Sequence, residues 1–472
     1  MKSKWKNLIR GVIALVVVIA IIVSAKNILI LKSEDGISQM QSLYKQKKDS
    51  IDVLFLGSSR IFCNVRPGLL WDEYGIASYD LGGAETPAWS SYYQLKEAFK
   101  TQHPKVVVYE ISVATIRPTL YPPIFWVQDN VYGMKWGINR IEAMKMQVYE
   151  ENFKKGLSSL SGMHDRYKEL TKNDFVDMNN SIDYKGFDER EGVTPFDVPE
   201  VDKITDRIPI SEQAEEYTRK IVDLCEEEGV PIMFIVAPFA PSDEEQAMLN
   251  YTFDIAEEKG LDYIDFNSCY TEFGMDYSTD MADEFHMNSS GTTKFTTYLG
   301  KCLMERYNLL DHRGDENYSS WEKAATVQRQ QTKEVELNAE EDLGKYFLKL
   351  INDQYLVFVS LGYGAEQSAT IYDNRVVLGR LGLKQEYAIT DGVFILSNGE
   401  AIYGSVEYNQ RANIKQDDIN LLLMREPSGE GEKPTTTLYV DRSDYDLSTD
   451  GIKIIVFDKA LGKVVSEKEI PL

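Results

Sequence analysis

The sequence predicts an α/β protein, a doubly wound parallel sheet followed by a smaller, mostly-β domain. Short, almost wholly apolar runs (53–56, 105–111 and 231–237) look like strands buried on both faces. Stretches with helical periodicity alternate with those runs, which argues for β-α-β units. From about residue 341 the pattern changes to short strands between glycine-rich turns, as in 355–360, 392–396, 437–440 and 452–457.

The elements follow in order. The first strand covers 52–57 and stops at Gly57, after which come Ser58, Ser59 and Arg60. Glycine lets a chain turn sharply at a strand's carboxyl end, where open α/β sheets place their ligands. A short helix is expected over 67–74 and a second strand over 77–81, ending at Gly82-Gly83. Pro87 suits a first helical turn, and Trp89, Tyr92, Tyr93, Leu95 and Ala98 form a helical stripe. Residues 105–111 make the third strand.

Residues 113–209 break the rhythm with aromatics such as Tyr121, Trp126, Tyr132, Trp136 and Phe175. They read as a long, partly helical insertion over the carboxyl edge of the sheet. The alternation then resumes: a helix from Ser211 closed by Gly229, a strand at 231–237, a helix capped by Ser242 and ended by Gly260, and a strand at 263–266. A last helix spans 290–309. The α/β domain is therefore placed at 51–311, a polar linker at 312–340 and the β-rich accessory domain at 341–472.

A chain of 472 residues is expected to hold two or three domains. Its 51 basic and 75 acidic residues give a formal charge of −24, which repels phosphate backbones and argues against a nucleic-acid partner. Cys63, Cys225, Cys269 and Cys302 show no CxxC and no metal spacing, and read as buried thiols. Residues 1–31 stand apart from the fold. Lys2, Lys4, Lys6 and Arg10 precede the apolar run 11–25, so that end stays cytoplasmic and the bulk lies outside. Two readings fit: a leader cleaved after Val23-Ser24-Ala25, or an uncleaved single-pass transmembrane helix in which Lys26 snorkels and 27–31 completes the span. Apolar character resumes after Lys26, which favours the anchor. The lysine-rich stretch 32–50 then reads as a stalk.

The chemistry rests on two stretches. Ser59 follows the first strand, and Asp283 stands three residues before His286, just ahead of the last helix. Serine is a poor nucleophile until a base takes its proton, and the base needs a group to fix its tautomer and stabilise the imidazolium. Ser59, His286 and Asp283 match those roles. Alone, Gly-Ser-Ser is an ordinary turn, and Asp-x-x-His is an N-capping aspartate beside a surface histidine. Their joint occurrence in this order is more specific than either part. The other histidines, His103, His164 and His312, have no ligand spacing to His286, so neither metal nor cofactor is expected.

On Gly57-Ser58-Ser59 and Asp283-x-x-His286, with Asn288 and Gly291 following, residues 50–310 resemble the SGNH (GDSL-type) hydrolase superfamily, whose frame is flavodoxin-like. They are most similar to its membrane-anchored envelope branch, the DltD-like proteins of teichoic-acid D-alanylation and the alginate-type O-acetyltransferases. The resemblance implies Ser59 as nucleophile, with Asp283 and His286 completing the set. It also implies an oxyanion hole from the N–H groups of Ser59 and of Gly82 or Gly83. One block departs. Where many members read Gly-x-Asn-Asp after the third strand, this chain reads Tyr109-Glu110-Ile111-Ser112, so the asparagine donor is missing. Arg60 and Arg117 are candidates to replace it, and Glu110 reads as a buried structural acid. Ser58 and Asn288 join them as candidate substrate or support residues. Residues 345–472 resemble the ILEI-type (interleukin-like EMT inducer) domain on the segments 438–445 and 451–458, implying a glycan-binding or stem module; a plain spacer fits as well.

The expected function is a serine acyltransferase or esterase acting on an extracytoplasmic polymer such as teichoic acid or exopolysaccharide. By family analogy, a membrane-bound O-acyltransferase (MBOAT) partner would supply the acyl group. A catalytically silent glycan-binding or scaffold protein is the alternative, and a secreted lipase-like hydrolase a third reading.

Overall fold

The computed structural model describes residues 2–29, 34–116, 130–146, 167–168, 170, 184–362, 365, 368–383, 392–427, 435–441 and 443–471. Two compact units divide the chain, Met1–Ala325 and Thr326–Leu472.

In the first unit the helix α1 (Lys2–Leu29) leads into α2 (Gln39–Leu43). Then come β1 (Val53–Ser58), α3 (Ser59–Phe62), α4 (Pro67–Tyr74), β2 (Ser78–Gly83), α5 (Ala88–Ala98), β3 (Val106–Glu110) and α6 (Ser112–Ile116). After α7 (Ile138–Lys145) follow α8 (Glu212–Glu228), β4 (Ile232–Val236), α9 (Asp243–Lys259), β5 (Asp262–Asp265), α10 (Ser289–Arg306) and α11 (Ser319–Asn338). The five strands form one all-parallel sheet in the order β2-β1-β3-β4-β5. That order reverses at β1, and at such a switch point the loops after neighbouring strands part to leave a crevice beyond the carboxyl ends. Ser59 stands there.

Strand side chains alternate between two cores. Val53 and Phe55 face Ile61, Leu70 and Phe295, from α3, α4 and α10. Leu54 and Leu56 face Tyr79, Leu95, Ile221 and Phe253, from β2, α5, α8 and α9. Both layers are sealed, which explains why the strands read as unbroken apolar runs. Caps stop the helices where the sequence marks them. Ser211 accepts the Ala214 N–H at 3.2 Å, Ser242 and Glu245 form a reciprocal capping box, and Gly229 and Gly260 close the two helices in left-handed conformation.

Three expectations need revision. The stretch read as a stalk is partly folded: Ile37, Met40 and Leu43, spaced as a helical stripe, are buried in the sheet's core, and Tyr79 donates its hydroxyl to Gln39 O at 2.6 Å. The stretch read as a linker is largely the helix α11, and the division between units falls within it; Trp321 and Ala325 are core residues that its polar composition hides. In the insertion, Val131, Tyr132, Met134, Ala143 and Met144 are core, whereas Trp126 and Arg117 lie outside the described residues. The helix α1 has its apolar side chains from Val12 to Ile22 exposed; among the described residues no helix is long and apolar enough to cross a membrane.

The second unit holds α12 (Leu343–Lys349), β6 (Tyr355–Leu361), α13 (Ala369–Leu381) and the strands β7 (Gly392–Ser397), β8 (Glu400–Ser405), β9 (Gln410–Gln416), β10 (Ile419–Glu426), β11 (Thr435–Val440), β12 (Ser443–Asp446), β13 (Ile452–Asp458) and β14 (Lys463–Ile470). Two antiparallel sheets, β12-β11-β10-β9 and β14-β13-β6-β7-β8, share a core of Phe358, Ile395, Leu421, Leu423 and Leu438. On the other face of the five-stranded sheet, Tyr346, Phe347, Ile371 and Leu378 of the two helices pack against Val357 and Val456. The unit is mostly β as expected, and its described residues include helices that the strand pattern conceals.

Candidate active site

Ser59 opens α3, directly after the last residue of β1. As the first residue of a helix it has no intrahelical acceptor for its N–H, which is left aimed past the helix end. Ser58 precedes it as the cap, its buried Oγ accepting the Arg60 N–H at 3.3 Å. Gly57 has a reason other than a turn. A Cβ there would lie 3.0 Å from Glu110 Cβ and 2.9 Å from Ile61 Cγ1, so the close approach of β3 and α3 excludes a side chain. Opposite it in register on β2, a Cβ on Gly82 would meet Gly57 O at 2.8 Å.

His286 and Asp283 arrive on a tight hairpin loop. Met281 and Met287 form an antiparallel bridge, and the Ala282 N–H donates to His286 O at 2.9 Å. Asp283 Oδ1 accepts the N–H groups of Phe285 and His286 at 2.8 and 3.0 Å. Its carboxylate also lies 2.9 and 3.0 Å from His286 Nδ1. That contact fixes the proton on Nδ1 and leaves Nε2 as an acceptor, 2.9 Å from Ser59 Oγ. Burial pulls the Asp283 carboxyl upward, but the bonds from the His286 ring and the two amides outweigh it and hold the group below the usual carboxylate range. Residues 227 positions apart thus meet through one hydrogen bond.

A strap from the end of the insertion grips the loop. Lys185 O accepts the Asp80 N–H at 2.9 Å, and the Asp188 N–H donates to Phe62 O at 2.7 Å. Thr194 then donates its N–H to Met281 O and its hydroxyl to Ala282 O, both at 2.8 Å. Asn288 is a support rather than a substrate group. It caps α10 by accepting the Ser290 and Gly291 N–H groups, and its Nδ2 donates to Gly192 O and Thr279 O at 3.1 and 2.8 Å.

The other expected residues fall elsewhere. Arg60 does not replace an oxyanion donor: its side chain is sealed in the core. Nη2 donates to Ala237 O at 2.6 Å, Nε lies 3.5 Å from Glu110 Oε1, and the guanidinium sits 3.7 Å from the Phe239 ring centroid. Glu110 is its buried counter-charge and accepts the Ser112 hydroxyl at 2.6 Å. Burial pushes this acid up and this base down, each opposed by the other.

Neither glycine offers a free oxyanion donor in this state. The Gly83 N–H donates to Thr86 Oγ1 at 3.0 Å. Asp80 donates its N–H outward to Lys185 O, and peptide groups two apart on a strand face the same edge, so the Gly82 N–H points away from Ser59. Thr86 Oγ1 also lies 2.7 Å from Gly83 O and 3.0 Å from Asn130 Oδ1. Thr86, Asn130 and the strap residue Thr194 carry no signature in the sequence, since each acts through backbone atoms or through a partner far away in the chain.

The chain matches no protein-family profile, and no curated protein matches it. Among solved structures it is similar to a Bacteroides fragilis protein provisionally named an acylhydrolase, at 11% identity and a TM-score of 0.29, covering 56% of this chain and 93% of that one.

Proposed function

We propose that the chain is an extracytoplasmic, membrane-anchored serine acyltransferase or esterase of a cell-envelope polymer, teichoic acid or exopolysaccharide. Ser59 is the nucleophile, His286 the general base and Asp283 the carboxylate that orients it. The observation that carries the chemistry is the unbroken path from Asp283 through His286 to Ser59 Oγ at the carboxyl end of β1. Ser59 Oγ attacks the carbonyl of an acyl donor as its proton passes to Nε2, and the leaving group departs with that proton. A polymer hydroxyl or water, deprotonated in turn by His286, then takes the acyl group and frees Ser59. The Ser59 N–H is the first oxyanion donor. Rotation of Thr86 about χ1 would release the Gly83 N–H as a second, worth about 3–4 kcal/mol to the transition state.

Anchoring is supported by α1, whose apolar residues Val12, Leu15, Val18, Ile19 and Ile22 are exposed around the helix behind four basic residues. The polymer class and a membrane-bound O-acyltransferase partner come from the family resemblance.

A second reading, a silent glycan-binding or scaffold protein, is favoured by the engaged Gly83 N–H and by the missing asparagine donor, since the chain reads Tyr109-Glu110-Ile111-Ser112 at that block. One experiment separates the two. The full chain is treated with a fluorophosphonate and the adduct read by intact mass. The enzyme reading expects labelled wild type and unlabelled Ser59→Ala; unreactive wild type supports the silent scaffold.

A further inference from the structure

Asn64 has no role in the relay, yet it connects the relay's two halves. It lies five residues after Ser59, fully buried, at the point where the chain leaves α3. Its Oδ1 accepts the Met287 N–H at 2.9 Å, the peptide that joins His286 to Met287. The amide orientation is forced, because only the oxygen can accept. Its Nδ2 is buried without a hydrogen-bond partner among the described residues. An orphaned buried donor is destabilising, and leucine would fill the same space without one. The chain therefore tolerates a penalty at this position to keep one acceptor.

The surroundings show what that acceptor holds. The Cys63 N–H donates to Ser59 O at 2.8 Å, so the backbone at 63–64 is one turn from the nucleophile. The Arg66 N–H donates to Thr296 Oγ1 at 3.1 Å and Arg66 Nη1 to Ser289 Oγ at 3.0 Å, binding the same segment to α10. The Met287 side chain is buried with Ile61 and Val65. Of these ties, only the Asn64 bond reaches a peptide that carries His286 itself.

We infer that Asn64 is a positioning residue, holding the His286 peptide so that Nε2 stays within hydrogen-bond reach of Ser59 Oγ. It acts through the Met287 amide and touches no substrate. The inference rests on the Ser59–His286–Asp283 reading above. Displacement of a catalytic group by about 1 Å costs on the order of a hundredfold in rate, so loss of the bond should be visible in the chemistry.

The test uses the full chain and two variants. Asn64→Leu keeps the volume and removes the acceptor; Asn64→Asp keeps the acceptor oxygen. Fluorophosphonate labelling rates, melting temperature and the ring-proton shifts of His286 are read for each. Asn64→Leu should label roughly ten to a hundredfold more slowly with little change in melting temperature, because its orphan donor is gone as well. Asn64→Asp should restore most of the rate. Wild-type labelling by Asn64→Leu, or an Asn64→Asp as slow as Asn64→Leu, overturns the inference. If wild type itself fails to label, the functional reading falls, and the ring shifts still decide this point. Movement in Asn64→Leu but not in Asn64→Asp supports positioning; no movement in either overturns it.

Discussion

Ser59 and Arg60 are neighbours in the chain, yet they enter opposite environments. Ser59 joins a cluster open to the cleft, in which Asp283 keeps half of its side-chain exposure and the Asp283 carboxylate oxygens and the Ser59 hydroxyl all have partners. Arg60 joins a cluster sealed between strand ends. There the Arg60 Nε and Nη1 and Glu110 Oε2 have no hydrogen-bond partner among the described residues. Both clusters contain a carboxylate and a nitrogen base. The open one has the geometry of proton transfer, because its base can give up and regain a proton beside water. The sealed one cannot turn over, because each charge exists only to offset the other. Strand-end position alone therefore does not identify chemistry; access and satisfied geometry do.

Three substitutions test that contrast, and the largest effect is expected on the open side. Asp283→Asn should slow fluorophosphonate labelling by roughly 10²–10⁴-fold, since the histidine loses the group that orients it. Its melting temperature should hardly move, because a half-exposed hydrogen bond from a neutral imidazole contributes only about 1 kcal/mol. On the sealed side the pattern should invert. Arg60→Met leaves Glu110 buried and uncompensated, costing about 3–5 kcal/mol in denaturant unfolding, and Arg60→Met with Glu110→Gln should recover much of it. A stable Arg60→Met would break the comparison.

The smallest effect concerns Asp80 on β2. Its carboxyl is buried with no hydrogen-bond partner among the described residues, and burial alone pushes it well above the usual carboxylate range. An acid raised in the folded state contributes fully below its unfolded value of about 4, and that contribution is lost as pH rises through the folded value. Asp80→Asn should therefore be the more stable protein at neutral pH, with the advantage vanishing in acid; thermal melts across pH would show it. An advantage independent of pH would place an ordinary, charged carboxylate there.

Much of this was legible in advance, for physical reasons. Sealed strands such as 53–56 announce themselves by unbroken apolarity, and Ser59, Asp283 and His286 are residue types whose chemistry restricts where they can stand. What could not be read depends on partners in space. The helical stripe of Ile37, Met40 and Leu43 is diluted by lysines and serines until the sheet edge that buries it is known. The role of Gly57 looked like conformational freedom and is close approach to Glu110. Whether the Gly82 and Gly83 amides face Ser59 depends on edge direction and on Thr86, neither of which leaves a trace in composition.

The facing glycines carry a practical consequence for tracing descent. Gly57 and Gly82 sit level on adjacent strands; a methyl group on Gly82 would strike the backbone of β1, and one on Gly57 would strike Ile61 and Glu110. Drift at Gly82 would prise β1 from β2 and drift at Gly57 would push β1 from β3 and α3, so lineages that have lost every other hallmark should still keep both. A template pairing two such bare positions by register, rather than by spacing along the chain, would find distant cousins that ordinary motif scans overlook.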